Sequence, residues 1–258
     1  WRRALPVAVA LAASAMAGAV AWTLKPVPPL AVTRFAVALG EGQRFSILNN
    51  QILAVSPDGT QLVYAANSQL YRRSMPDLEA RPIPGTQQMA SPHTPVFSPD
   101  GQSIAFLSSD DRAIKKIALS GGAAVTICSL DNTNLPGMTW DAGAIVFGQP
   151  KGIMRVSANG GKPEMLVSTK GGEVLYGPQV LPGGEWLLFT VATAANADGW
   201  NKAQIVVQSL KSSERKTLVS GGSDGRYLPT GHLVYALGGV LFAVPFDLPR
   251  LAVTGGPV

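Results

Sequence analysis

The stretch 52–64, ILAVSPDGTQLVY, decides the fold. It reads as strand, tight turn, strand. Pro57 presets φ for the first corner of the turn, and Asp58 can accept a bond from the backbone two residues on. Gly59 takes the left-handed position that a Cβ would resist. The flanks are apolar and β-branched or aromatic, as a hairpin buried between neighbouring sheets requires. A second copy, PVFSPDGQSIAF, occupies 95–106, and Pro57 and Pro99 are 42 residues apart, as are Gly59 and Gly101. Weaker copies follow at 138–147 (MTWDAGAIVF), 180–189 (VLPGGEWLLF) and 227–235 (YLPTGHLVY). Their turn glycines, Gly143, Gly184 and Gly231, step from Gly101 by 42, 41 and 47. A period of about 40–45 residues is the spacing of a four-stranded propeller blade.

Each repeat supplies three more strand signals after its inner strand. Blade one has strands expected at 52–55, 61–65, 69–73 and 81–84; blade two at 95–97, 103–107, 113–119 and 123–127. Blade three continues through 153–156 and 164–167. Blade four carries an insertion, Ala192–Asn201, before a strand at 204–209, and blade five runs from about Arg226 through 240–245. No stretch after Lys25 shows helical periodicity. The expectation is an all-β chain: a β-propeller of four-stranded blades, five recognisable and a sixth truncated, preceded by one transmembrane helix. Its parts are a membrane helix over 1–25, a Pro-rich linker over 26–32 and an incomplete propeller over 33–258.

Composition agrees. Of 258 residues, 28 are Gly and 20 Pro, as a turn-rich chain needs, while 46% are apolar, too many for disorder. The net charge of +5 is not a nucleic-acid signal. Arg2, Arg3 and Lys25 flank one apolar run, and without them 18 basic residues face 16 acidic ones. The single cysteine, Cys128, permits no internal disulfide and reads as a small buried hydrophobe.

The run Ala4–Leu24 is 21 residues without a charge. As a helix it spans about 30 Å, the thickness of a bilayer core. Trp1 and Trp22 sit near its ends, and Arg2 and Arg3 place the N-terminus in the cytoplasm by the positive-inside rule. Ala-Met-Ala before Gly18 and Ala-Gly-Ala before Val20 resemble signal-peptidase sites, but the run is long for a signal peptide. A chain opening on Trp1 is expected to be a fragment or a processed product. The expected location is the plasma (inner) membrane, single-pass, with the propeller on the periplasmic or extracellular side. KPVPPL, 25–30, is a stiff spacer, and 33–39 reads as a lone strand before the first repeat.

In these stretches the chain resembles the TolB-like, PD40-type (WD40-like) β-propellers. More closely it resembles the extracytoplasmic region of bacterial receptor-like serine/threonine protein kinases. The resemblance rests on VTRFAVAL (32–39), AVSPDGTQLVY (54–64), VFSPDGQSIAF (96–106), CSLDNTNLPGMTWDAGAIVF (128–147), PQVLPGGEWLLFT (178–190) and RYLPTGHLVYALGGVLFAVPFD (226–247). It implies a cytoplasmic kinase, a membrane helix and a six-bladed propeller, in that order. The chain departs from that pattern in two ways: it contains no glycine loop, H-R-D or D-F-G, and no sixth blade.

Candidate chemistry is sparse. Gly221–Gly225, GGSDG, matches the G-x-S-x-G elbow formally, but the elbow needs a strand before it and a helix after it. His93 and His232 are the only histidines and lack carboxylate spacing for a metal. Asp131–Asn134 lacks the Gly and Glu of a calcium loop. The recurring aromatics Tyr64, Phe106, Phe147, Phe189 and Tyr235 follow the blade period and belong to the core. No residue is expected to be catalytic, and no cofactor or metal is expected.

One face remains. Loops entering inner strands and loops joining second to third strands open on the same side of a propeller. That side should carry His93, Asn134, Tyr176, Asp198, Trp200 and Arg226, with Trp200 exposed on the insertion as a contact point. The expected role is a sensor or binding module of a membrane-anchored signalling protein, with a protein or small molecule as partner. A periplasmic TolB-like scaffold and the non-catalytic propeller of a serine peptidase are the alternatives.

Overall fold

The computed structural model describes residues 38–46, 51–87 and 92–257. The apolar run at 4–24, the linker and most of the strand expected at 33–39 lie outside them; residues 38–40 are not in a strand. No helix among the described residues is long and apolar enough to cross a membrane.

Among the described residues twenty strands form five antiparallel four-stranded sheets, each built from consecutive strands. Blade one is β1 (Leu53–Val55), β2 (Gln61–Ala66), β3 (Gln69–Ser74) and β4 (Arg81–Pro82). Blade two is β5 (Pro92–Phe97), β6 (Ser103–Ser108), β7 (Ala113–Ala118) and β8 (Val125–Ser129). Blade three is β9 (Met138–Asp141), β10 (Ala144–Gln149), β11 (Gly152–Ser157) and β12 (Glu164–Ser168). Blade four is β13 (Val174–Val180), β14 (Trp186–Ala192), β15 (Gln204–Ser209) and β16 (Arg215–Ser220). Blade five is β17 (Ser223–Leu228), β18 (His232–Leu237), β19 (Val240–Asp247) and β20 (Ala252–Val253). The expected strands are present to within a few residues. Each blade packs on the next from one to five.

The SPDG turns of blades one and two are bonded alike. Ser56 Oγ donates to Asp58 Oδ1 at 2.5 Å, Thr60 N donates to the same oxygen at 3.0 Å, and Gly59 N closes the turn on Ser56 O at 2.9 Å. Ser98 Oγ, Gln102 N and Gly101 N repeat these bonds at 2.5, 3.0 and 2.9 Å. The Ser hydroxyl and the turn N–H groups hold both carboxyls below the usual range. Gly59 and Gly101 sit at φ 72° and 71°. Blade three differs from the expectation: its hairpin pairs Asp141 directly with Ala144, and Ala142, at φ 44°, takes the left-handed position rather than Gly143.

The recurring aromatics are the core. Tyr64, Phe106, Phe147 and Phe189 are fully buried and Tyr235 nearly so. From blade two onward each shares a core cluster with residues of the preceding blade: Phe106 with Val63 and Ala65, Phe147 with Leu107 and Ile114, Phe189 with Val146 and Ile153, Tyr235 with Leu188 and Ile205. Blade one has no described blade before it. There Phe45 meets Tyr64 edge-on at 6.1 Å, and the Tyr64 hydroxyl donates to Gln43 Oε1 at 2.9 Å. The 38–46 segment thus covers part of the surface that a preceding blade would cover.

Candidate functional site

The insertion of blade four is not irregular. Ala197–Asn201 forms one turn of helix, α1, capped by Asn196, whose Oδ1 accepts from Gly199 N at 2.7 Å. One turn is too short to show periodicity, which is why the sequence reads as loop. The signal present was local: an Asn cap followed by Asp198 in the first turn. Gly199 is buried against Ala194, so close that an added Cβ would meet Ala194 O at 2.1 Å. Asn201 ties the turn to blade five: its Oδ1 accepts from Gly238 N at 3.0 Å, and its carbonyl from Gly222 N at 3.3 Å.

This anchoring fixes Trp200. Its ring meets Tyr176, on inner strand β13, edge-on with centroids 5.4 Å apart and planes at 63°. Both side chains are half-buried. The two rings form one wall of a cleft of about 710 Å³ between blades three and four. Asn134 and Pro136, from the connection into blade three, and Gln149 and Pro150, from the turn between β10 and β11, form the opposite wall. These segments enter an inner strand or join a second strand to a third, the positions expected on that face.

The cleft is electrically quiet. Its single lining carboxylate, Glu173, pairs with Arg215 Nη1 at 2.8 Å through Oε1 and accepts from Lys170 N at 3.2 Å through Oε2. Arg215 is held in turn by Gln208 Oε1 at 2.9 Å and lies over the Phe189 ring at 5.2 Å. Burial, with a smaller push from the Asp224 charge, raises the Tyr176 phenol above its ordinary value. The ring is therefore a neutral donor at physiological pH.

The six expected residues do not all meet. Asn134, Tyr176 and Trp200 line the cleft. Asp198 is on α1 but exposed, paired with Lys202 at 2.7 Å. Arg226 does not line the cleft; it pairs with Asp224 at 2.8 Å beside Gly177. That glycine, at φ 61°, has no room for a Cβ, which would meet Asp224 Oδ1 at 2.8 Å. His93 is buried and offers nothing to the face. Its strand begins at Pro92 rather than Pro95, so the residue expected in a loop lies inside a sheet, paired with Leu107. Its ring bonds Thr94 Oγ1 at 3.0 Å and Ser109 Oγ at 2.9 Å, and burial lowers its pKa to about 4.

The other candidates are structural. Ser223 of GGSDG opens strand β17, with no helix after it, so the elbow geometry is not formed. Asn132 Oδ1 accepts from Asn134 N at 2.7 Å, an Asx turn in a polar loop. Among the described residues no three His, Cys, Asp or Glu side chains cluster as a metal site.

The fold defines the class: a β-propeller with five four-stranded blades described. The chain matches no known protein family by sequence, and no curated protein. Solved structures do match. TolB from Acinetobacter baumannii superposes with a TM-score of 0.60 at 18% identity, over 75% of this chain and 51% of that one. The putative TolB from Agrobacterium tumefaciens gives 0.59 at 18%, over 77% and 76%. A chain of the nidogen/laminin complex gives 0.61 at 17%, over 79% and 77%. This chain therefore spans about half the length of the Acinetobacter protein, and at these identities the likeness is one of fold. The fold is shared with an oligogalacturonate lyase as well, at a TM-score of 0.55 and 14% identity.

Proposed function

We propose that this propeller is a protein-interaction module that binds its partner in the cleft between blades three and four and performs no chemistry itself. The carrying observation is the Tyr176–Trp200 pair, held at the cleft by a helical turn of blade four that is pinned to blade five. Interface energy concentrates on buried aromatic anchors of this kind. The TolB and nidogen/laminin likenesses support a binding scaffold, since propellers of this fold occur in a protein complex. The test is affinity capture with the whole chain from its own cells. A partner lost on Trp200→Ala and retained on Asp77→Ala, at the opposite end of the blades, supports the reading. A partner indifferent to Trp200 overturns it.

The uncharged run Ala4–Leu24 supports a second, compatible reading. In it the module is tethered to the plasma membrane and faces outward as the sensor of a signalling protein, with the resemblance to receptor-like kinases suggesting a cytoplasmic kinase as effector. Protease added to intact cells or spheroplasts should then degrade the propeller while a cytoplasmic marker survives. Protection of both would overturn the outward placement.

A further inference from the structure

We propose that a second groove, between blades two and three, binds a free fatty acid, with the aliphatic chain laid along blade three and the carboxylate at Lys162. The groove measures about 580 Å³, within the range of small-molecule sites. Its floor is apolar. Leu130 and Phe147 are buried beneath it, and Met154 and Met165 stand opposite each other across β11 and β12. The Met165 sulfur leans along the strand over Gly152, where an added Cβ would meet it at 2.9 Å. Met165 is 42% exposed, a large apolar side chain left open to water. Flexible, polarisable thioethers adapt to the shape of a flexible apolar chain. No Tyr, Trp or His lines the groove, which leaves it poor in partners for a sugar or a metal.

Charge sets the head group and its end. Of the eight described lysines, Lys115, Lys116, Lys202, Lys211 and Lys216 place their ammonium on a carboxylate or a carbonyl. Lys151 and Lys162, both exposed on the rim of the groove, have no such partner among the described residues. Residues 129–132 lead into blade three and Lys151 joins its second strand to its third, so they share one end of the blades. There Asp131, the single lining carboxylate, offsets Lys151. Lys162, between β11 and β12, lies at the other end, where no acid lines the groove. Glu164 nearby is committed to Arg155 at 2.8 Å. The six residues of β11 separate the two ends by about 20 Å, room for an extended chain.

The experiment titrates the delipidated whole chain with laurate, below its micellar concentration, by calorimetry. Dodecanol and dodecyltrimethylammonium serve as the neutral and cationic counterparts. The expected result is saturable laurate binding, weaker binding of dodecanol and none of the cation. Lys162→Gln should weaken laurate by about three- to fivefold, as an exposed ion pair allows, while Lys151→Gln keeps it within about twofold. Met165→Asp, which puts a charge on the apolar floor, should weaken it by about tenfold or more. Equal affinity for laurate and dodecanol overturns the carboxylate, and a loss on Lys151→Gln with none on Lys162→Gln overturns its placement. No saturable laurate binding, or binding indifferent to Met165→Asp, overturns the site. Trp200→Ala lies outside this groove and should leave laurate affinity unchanged, so this proposal and the partner cleft fail separately; a loss there overturns the assignment to this groove. Each variant is checked for unchanged circular dichroism before titration.

Discussion

His93 should make the stability of this protein fall steeply with mild acid. The ring is buried within blade two between Thr94 and Ser109, and burial lowers its pKa from 6.5 to about 4. In the unfolded chain the ring titrates near 6.5. Between these values the unfolded state binds the proton and the native state does not. The contribution of His93 is therefore present above pH 6.5 and lost as pH falls toward 4. Linkage gives the size: lowering the pH from 7 to 5 removes about 2 kcal/mol, and the full shift is worth about 3 kcal/mol. Urea unfolding monitored by circular dichroism, run from pH 7 to pH 4.5 on wild type and on His93→Gln, reads this out. Gln keeps polar atoms near the two hydroxyls but cannot titrate. Whatever its absolute stability, its curve should be flatter by about 2 kcal/mol over the same interval. The carboxyls of Asp58, Asp100 and Asp111 are held low by their hydrogen bonds, so their losses fall at lower pH and outside this window. Equal slopes in wild type and variant would refute the reasoning, because the buried ring would then be no proton sensor.

Other outcomes follow from the same structure. Gly59→Ala should cost about 1–2 kcal/mol from its positive φ alone, since nothing lies within 4 Å of the added Cβ. Gly85→Ala should cost more, because there the Cβ would meet Gly122 O at 1.9 Å; urea midpoints of the two variants give the order. Phe147→Ala removes a fully buried ring between blades two and three and should cost about 3–5 kcal/mol. Cys128 is buried and its thiol is pushed up to about 11, so a disulfide reagent at pH 8 should label it only after unfolding.

Much of the fold was legible because the repeat advertises itself. SPDG needs Ser, Asp and Gly at fixed positions to build its bonded turn, and both copies do build it. The aromatic that follows recurs because each blade must fill the surface of the one before. What escaped reading is non-repeating. Read from sequence, Pro95 opens the strand and leaves His93 in a loop, yet β5 starts at Pro92 and tolerates Thr94 at φ 53° with a register shift. The helical turn at 197–201 depends on a cap and on Gly199 meeting Ala194, a contact that no spacing announces. Of the face residues, Asn134, Tyr176 and Trp200 line one cleft, and their shared end of the blades is legible from topology, since loop direction alternates strictly along a blade. Arg226 and Asp198 share the region but not the cleft, because each is committed to an ion pair.

The central claim is that one face of the propeller works and the other does not. Photo-crosslinking from single positions tests it most directly. A benzophenone side chain placed at Asn196, on the cleft rim, is compared with one at Asp77, in the exposed loop between β3 and β4 at the other end of the blades. The account predicts a discrete crosslinked partner from position 196, abolished by adding Trp200→Ala, and none from position 77. A discrete partner from position 77 with none from 196 would contradict it.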